Sequence, residues 1–425
     1  MATNTLALDL NLPFRKGAVE YTPGHEADHE AVYQTLLNVF HRPDRDDFLA
    51  TLSDPAYRPE QRLLVKVGGK IASHVYLTDR QIRLAGEVAR LHGVMWVGTL
   101  PEYRGRGFAQ NLIRLASQRA RKQGALLMTA STSMPEFFKP LGWGVCGRHG
   151  IGLIPSRNLP TGNEGALEVR GPAWQVRPWR QVELGDLMRL YELQFAETPG
   201  SLVRSEEYWR WMVNRRIQHV IWIACLGDAV HGYAFVKDHK VLEIAVDPAH
   251  PDALPALFGR IRSEALERAY PEVILHAPPD HVAMQQLKAS GGKILHREEW
   301  EGDVQMYHAP DPGLLLARLL PQIARHAKQA GAALPLDLGL SIGDQRFLIH
   351  IAAGKSSRIE SGKLGRRHLT LSGGSFVRLL LGHSSIDHLI SEDRVVASSA
   401  TAIEAARLLF PPRILWRSPL DCVAA

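Results

Sequence analysis

Cysteine is scarce in this chain of 425 residues: Cys146, Cys225 and Cys422 are the only three, far apart and odd in number. That excludes a disulfide framework and a cysteine-rich metal centre, and it fits a reducing compartment. No apolar run approaches the ~20 residues of a membrane span. The N-terminal stretch MATNTLALDLNLPFRK lacks the basic-then-apolar order of an export signal. A cytoplasmic protein with no membrane partner is therefore expected. Charge of one sign is also missing, with 50 Lys and Arg against 44 Asp and Glu and a net charge of +6. The basic residues are dispersed, and the densest cluster (Arg114, Arg119, Arg121, Lys122) reads as a solvated helix face. No nucleic-acid partner is expected. The 19 histidines show no metal-ligand spacing, so no metal is expected either. What is present is globular in kind: 45% hydrophobic and 22% charged residues, in a length suited to two or three domains.

The most informative stretch is Val97 to Ala109, VGTLPEYRGRGFA. It reads as the end of a strand, a turn dense in glycine and arginine, and the start of a helix running to about Lys122. Backbone N–H groups at such a helix N-terminus form a ready anion site. Gly105 and Gly107 let an anion approach the backbone, while Arg104 and Arg106 add fork-shaped cationic donors. The spacing Arg-x-x-Gly-x-Ala at Arg104, Gly107 and Ala109 is weak alone. Its context strengthens it: an apolar run (Val94, Met95, Trp96, Val97) before, and an amphipathic helix with Phe108, Leu112, Leu115 and Ala116 after.

On these residues the segment resembles the Gcn5-related N-acetyltransferases over roughly residues 18 to 150. The resemblance implies that the turn binds the pyrophosphate of acetyl-coenzyme A as co-substrate. It also implies that the preceding strand opens at a bulge whose free N–H groups hold the acetyl carbonyl and the pantetheine arm. The cofactor-binding residues it assigns are Val97, Gly98, Thr99, Arg104, Gly105, Arg106, Gly107, Phe108, Ala109 and Phe138.

Two Pro- and Gly-rich regions divide the rest: Pro155 to Pro172, and Ala309 to Gly313. Between them, strand and helix signals follow the order of the first part. The corresponding turn, from Asp247 to Leu254, carries two prolines and two aspartates where the first has glycines and arginines. Aspartates repel a pyrophosphate, so this reads as a degenerate copy without cofactor. The last part begins with an apolar helix, Leu314–Ala330, which Pro321 is expected to kink or cap. Four strand signals and two helices follow, an α+β layer similar to sterol-carrier-protein-like domains. The expected fold is thus α/β (α+β). It has tandem acetyltransferase folds over residues 1–160 and 173–308 and a sterol-carrier-like domain over 312–425. That domain order resembles the enhanced-intracellular-survival family.

Acetyl transfer to an amine needs a free amine, a polarised carbonyl, a held oxyanion and a protonated leaving thiolate. The resemblance gives two catalytic groups: the Val97 backbone N–H for the oxyanion, and the terminal carboxylate, here on Ala425, as general base. Asp421 and His92 are alternative bases, with His74 behind them. The family's thiolate-protonating tyrosine matches Phe138, which has no proton to give; Tyr103 and Tyr76 are substitutes with no fixed direction. Asp44, Asp46 and Asp47 are candidates to attract a cationic amine, although a solvated loop explains them as well. The expected partner is a small-molecule or lysine amine, and a homo-oligomer is compatible with the sequence. The alternative function is a catalytically impaired protein that binds or senses acyl-coenzyme A or a lipid.

Overall fold

A computed structural model of the chain describes residues 12–41, 43–161, 174–215, 220–354 and 357–421. The first part contains β1 (Phe14–Lys16), β2 (Val19–Pro23), α1 (His29–Phe40), α2 (Arg45–Leu52), β3 (Arg62–Val67), β4 (Lys70–Leu84) and β5 (Glu87–Thr99). It continues with α3 (Phe108–Lys122), β6 (Leu127–Thr132), α4 (Pro135–Phe138), β7 (Gly144–Val145) and β8 (His149–Pro155). β1 to β5 pair antiparallel in chain order, and β6 joins parallel to β5 through the α3 crossover. Both faces of this sheet are covered, which is why most of β3 and the first half of β4 are buried at successive positions. Leu63, Val65, Val75 and Leu77 pack with Leu112, Ile113 and Ala116 of α3. Leu64 and Ile71 turn to the other face and meet Val32, Leu36 and Phe48 of α1 and α2. The helix α3 carries Arg119, Arg121 and Lys122 in its last turn, where they complement the helix dipole.

The second part contains β9 (Gln175–Pro178), α5 (Leu184–Phe195), α6 (Glu206–Asn214), β10 (Val220–Leu226), β11 (Ala229–Lys237) and β12 (Lys240–Val246). Then come α7 (Ala253–Glu267), β13 (Glu272–His276), α8 (Val282–Ala289), β14 (Lys293–Arg297), β15 (Glu299–Trp300) and β16 (Asp303–His308). Its core repeats the first: an antiparallel meander β9–β12, then a parallel β13 reached through α7.

The two sheets exchange strands. β8 lies between β13 and β14 in the second sheet, while β16 pairs with β6 and β7 in the first. The boundaries expected from sequence, near 160–173 and at 308, therefore do not separate the sheets. Punctuation by Pro and Gly marks where the chain turns, not where its strands find partners.

The third part contains α9 (Pro312–Gln329), β17 (Leu336–Ile342), β18 (Gln345–Ile351), β19 (Arg358–Ser361) and β20 (His368–Leu371). It closes with α10 (Gly373–Leu380), α11 (Ile386–Ser391), β21 (Val395–Ala397) and α12 (Ala400–Leu409). The strand order is β19-β18-β17-β20-β21. α9 runs through Pro321 as one element. Its buried face (Leu315, Leu316, Leu319, Ile323, Ala327) explains this. Each large apolar side chain contributes about 1.5–3 kcal/mol on burial, so together they exceed the ~3 kcal/mol cost of an interior proline. The chain then returns to the second part, where Trp416 and Leu420 join the cluster of Leu187, Tyr191, Trp209 and Tyr233.

Candidate active site

The centre of the site is an irregularity in β5. Along β4, His74 faces Gly98 and Tyr76 faces Met95, so Trp96 and Val97 together oppose only Val75. This is a β-bulge. Trp96 has φ of +54°, a left-handed conformation that is costly for a bulky aromatic residue. The surrounding contacts hold it there. The Trp96 ring meets Phe40 edge-on with centroids 5.9 Å apart. His74 Nδ1 lies 2.9 Å from the Trp96 carbonyl, and its Nε2 is 3.2 Å from Arg62 Nη1. A guanidinium only donates, so Nε2 accepts and Nδ1–H donates to the carbonyl.

His74 is fully buried, and burial, then the Arg62 charge, push its pKa down to about 3. Both its ring nitrogens are committed. The structure thus makes His74 a holder of the bulge rather than a base.

Beyond the bulge the strands diverge. β5 and β6 pair only at Leu91–Gly93 with Leu127–Thr129, which leaves Val94 to Thr99 without a strand partner on that side among the described residues. Val97, Gly98 and Thr99 end β5 along the open edge of the resulting cleft. Gly98 packs closely on the other face, where a Cβ would lie 3.0 Å from both Val39 and Phe40. The Ser73 hydroxyl donates to the Gly98 carbonyl at 2.9 Å and lies 2.8 Å from Thr99 Oγ1, which fixes the end of the strand.

The cleft leads to the turn. Gly105 and Gly107 both have φ of +76°, and nothing lies within 4 Å of where their Cβ atoms would be. Gly107 caps α3 and has no side chain to accept from the N–H groups that open the helix. Arg104 Nε donates to the Thr99 carbonyl at 3.2 Å, and Arg106 sits 5.3 Å over the Tyr103 ring. Both arginines are exposed. Phe108 turns its ring into the core against Tyr21, so only its backbone faces the turn. Ala109 is half-buried. The arrangement can bind an extended anion, with backbone donors and two exposed cations around open space.

Of the other candidates, only Tyr103 adjoins the turn. Phe138 ends α4 and is 4% exposed, packed at 5.1 Å on Phe137 and 5.3 Å on Trp143. Tyr76 is buried, and burial raises its pKa well above the usual phenol value. Tyr103 is half-buried beside Lys70 and Arg106. His92 is 3% exposed; its Nδ1 lies 3.0 Å from the Thr78 carbonyl, and its pKa is lowered chiefly by burial. In the β4 register it stands opposite Asp79, six residues before Gly98 and about 20 Å along the strand. Asp44 is the cap of α2, accepting from the Asp47 amide at 2.7 Å, and Asp46 and Asp47 sit exposed in that helix's first turn.

Asp421 is excluded as a free base. Arg204 holds both its oxygens, from Nε and Nη2, each at 2.9 Å. The same guanidinium binds Glu243 at 2.9 and 2.6 Å, and Tyr208 and Tyr233 add hydroxyl donors. All three charged groups are fully buried. Sequence reasoning could not find this cluster, because its members are 39 and 217 positions apart. Ala425, expected to carry the base, lies outside the described residues.

The second part keeps the splay, since β12 and β13 pair only at Lys240–Val241 with Ile274–Leu275, but its bulge is displaced and its turn is closed. β11 and β12 pair regularly from Gly232↔Val246 to Phe235↔Glu243, and their irregularity falls at Leu242, near the strand's other end. In the turn that follows, the Ala249 amide already donates to Asp247 Oδ1 at 3.0 Å. Pro248 and Pro251 have no N–H to offer.

Residues 20–146 match the family model of the acetyltransferase (GNAT) domain. No curated protein matches the chain in sequence. Solved structures match it along nearly its whole length. A GCN5-related N-acetyltransferase from Anabaena variabilis shares 16% identity, with 94% of this chain and 99% of that chain covered and a TM-score of 0.72. A conserved protein from Enterococcus faecalis shares 14%, covering 94% and 98%, with a TM-score of 0.75. Eis1 from Mycobacterium abscessus shares 15%, covering 93% and 98%, with a TM-score of 0.66. At these identities the likeness establishes a shared three-part fold.

Proposed function

We propose that this chain transfers the acetyl group of acetyl-coenzyme A to a primary amine, by direct attack in a ternary complex. The observation that carries the reading is one continuous feature within the matched acetyltransferase domain. The bulge at Trp96–Val97, the splay of β5 from β6 and the open turn at Gly105–Gly107 lie in line. The turn suits the pyrophosphate, and the strand edge at Val97–Thr99 suits the pantetheine amides and the thioester.

The amine nitrogen attacks the thioester carbonyl, and the carbon–sulfur bond then breaks. Negative charge on the carbonyl oxygen is met by the Val97 N–H; one such donor is worth about 3 kcal/mol in the transition state. The thiolate departs and takes a proton from water, since thiols ionise near pH 8.5 and Phe138 cannot supply one. The amine's proton goes to the Ala425 carboxylate. Two facts support that assignment. Asp421 is fixed by Arg204, and four further residues reach at most about 14 Å. Met95, beside the bulge, packs on the cluster that holds Leu420. The second part acts as cofactor-free support, and the third as a sterol-carrier-like domain that carries the tail.

The test is free-thiol release from acetyl-coenzyme A across aminoglycosides, polyamines and lysine peptides. Amine-dependent release is expected with at least one class. Tight coenzyme A binding with no release above hydrolysis for any amine would overturn the transfer reading.

A further inference from the structure

The turn that replaces the anion site in the second part gathers three metal-ligating side chains. Asp247 directly follows β12, and its amide donates to the His231 carbonyl on β11 at 2.7 Å, so the two residues face each other across the ladder. The turn then closes on itself, with the His250 amide donating to the Asp247 carbonyl at 2.9 Å. His231, Asp247 and His250 consequently offer ligand atoms that all lie within 4.8 Å of one another.

The separations are long for a hydrogen-bonded cluster and suit a ligand set; the one hydrogen bond among the three side chains, between His231 and Asp247, is at the limit of length. Asp247 Oδ2 is 3.5 Å from His231 Nδ1 and 3.6 Å from His250 Nδ1. Hydrogen bonds between such atoms fall at about 2.7–3.2 Å. Two ligands on a tetrahedral ion with bonds of about 2.0–2.1 Å stand about 3.4 Å apart, close to both of the Asp247 separations. His250 Nδ1 is moreover buried and makes no hydrogen bond among the described residues, although the residue's side chain is 38% exposed. A buried ring nitrogen aimed at a carboxylate without bonding to it is what a ligand looks like before its ion arrives.

The surroundings set the strength. Asp247 Oδ1 accepts from the Ala249 amide at 3.0 Å, which fixes the carboxylate's orientation. The Trp174 ring meets His231 edge-on at 5.9 Å and shields one side. Arg189 Nη1 lies 3.6 Å from Asp247 Oδ2 and opposes a cation; Asp186, 3.5 Å from Arg189, offsets part of that charge.

We propose that His231, Asp247 and His250 form a binding site for one divalent transition-metal ion, with Zn²⁺ as the best fit. Two imidazoles and one carboxylate suit Zn²⁺ and leave its fourth position to water. The ion ties the turn before α7 to β11, at the place where the first part holds its anion turn. This inference is independent of the acetyl-transfer reading.

The experiment titrates Zn²⁺ into the full chain, free of any polyhistidine tag, in competition with a chromogenic chelator. One ion per chain is expected, with a thermal midpoint that rises on binding. His250→Ala, at a partly exposed position, and Asp247→Asn should each weaken binding by about 10- to 100-fold or more. His388→Ala, at an exposed position in α11, should leave it unchanged. Co²⁺ in place of Zn²⁺ should give the absorption of a tetrahedral centre in the wild type and not in His250→Ala. Equal binding by wild type and His250→Ala, or no stoichiometric binding by the wild type, would overturn the site.

Discussion

Replacing Gly107 by aspartate perturbs the turn with opposite signs in the free and bound states. In the free protein, Gly107 is the cap of α3 with φ of +76° and open space around it. An L-residue in that conformation costs about 1–2 kcal/mol, with aspartate among the most tolerant. The new carboxylate gains about 0.3–1 kcal/mol from the helix dipole and can cap the free N–H groups. Folding stability should therefore change by no more than about 1 kcal/mol. In the bound state, the carboxylate stands against phosphate. At about 5 Å, with an effective dielectric between 20 and 80, each phosphate charge repels it by about 1–3 kcal/mol. Coenzyme A should bind about 5- to 150-fold more weakly. Calorimetric titration with coenzyme A, paired with thermal unfolding of the same sample, separates the two terms. An unchanged affinity in a protein with an unchanged melting point would place the anion site elsewhere. Arg104→Glu should weaken binding in the same direction, but less, because that side chain is exposed and reaches solvent.

Three further outcomes are expected. Deleting Cys422 to Ala425, or adding a short C-terminal tag, should lower turnover by about 10²–10⁴-fold while coenzyme A affinity holds; full activity in the tagged protein would remove Ala425 from the mechanism. Coenzyme A should bind at one molecule per chain, and substitution of the Asp247–Ala253 turn should not alter that count; two molecules per chain would contradict a cofactor-free second part. Acid should destabilise the fold through its buried histidines. His74 and His276 are held near 3 and His281 near 4. As pH falls below about 6.5 the unfolded chain takes up protons that the folded chain refuses. Each such group then removes about 1.4 kcal/mol per pH unit until its folded pKa is reached. Melting curves between pH 7 and 4.5 should show this decline, and His74→Gln should make it shallower by the share of one proton; an identical slope would mean that His74 titrates normally.

Local pattern made much of the fold legible. β3 and β10 coincide with short apolar runs and β20 with an apolar alternation, and α3 begins at the residue the glycine turn implies. α9 was readable as a helix, while Pro321 was misleading because burial outweighs it. β4 and β5 extend further than their apolar runs suggest. Polar residues hide the extension, yet those residues are paired: Arg90 with Asp79, and Arg80 with the buried Asp54. The Gly-Arg turn showed itself because its chemistry is contained in a few consecutive residues. The Arg204–Glu243–Asp421 cluster and the His231–Asp247–His250 set did not, because each forms only when distant strands, or a strand and a turn, come into register.

The traded strands have a consequence for how the protein is made. A ribosome delivers β6 long before β16, yet β16 is the strand that closes that edge of the first sheet. Until residue 308 has emerged, β6 presents unpaired backbone along its outer side, and β8 waits for β13 and β14. The first part therefore cannot complete its sheet until β16 has emerged; its completion is deferred across some 170 intervening residues of chain. Excising residues 1–160 as a minimal enzyme should yield an aggregating fragment, and a gene encoding this protein cannot be cut between its first two parts without leaving both sheets short of a strand.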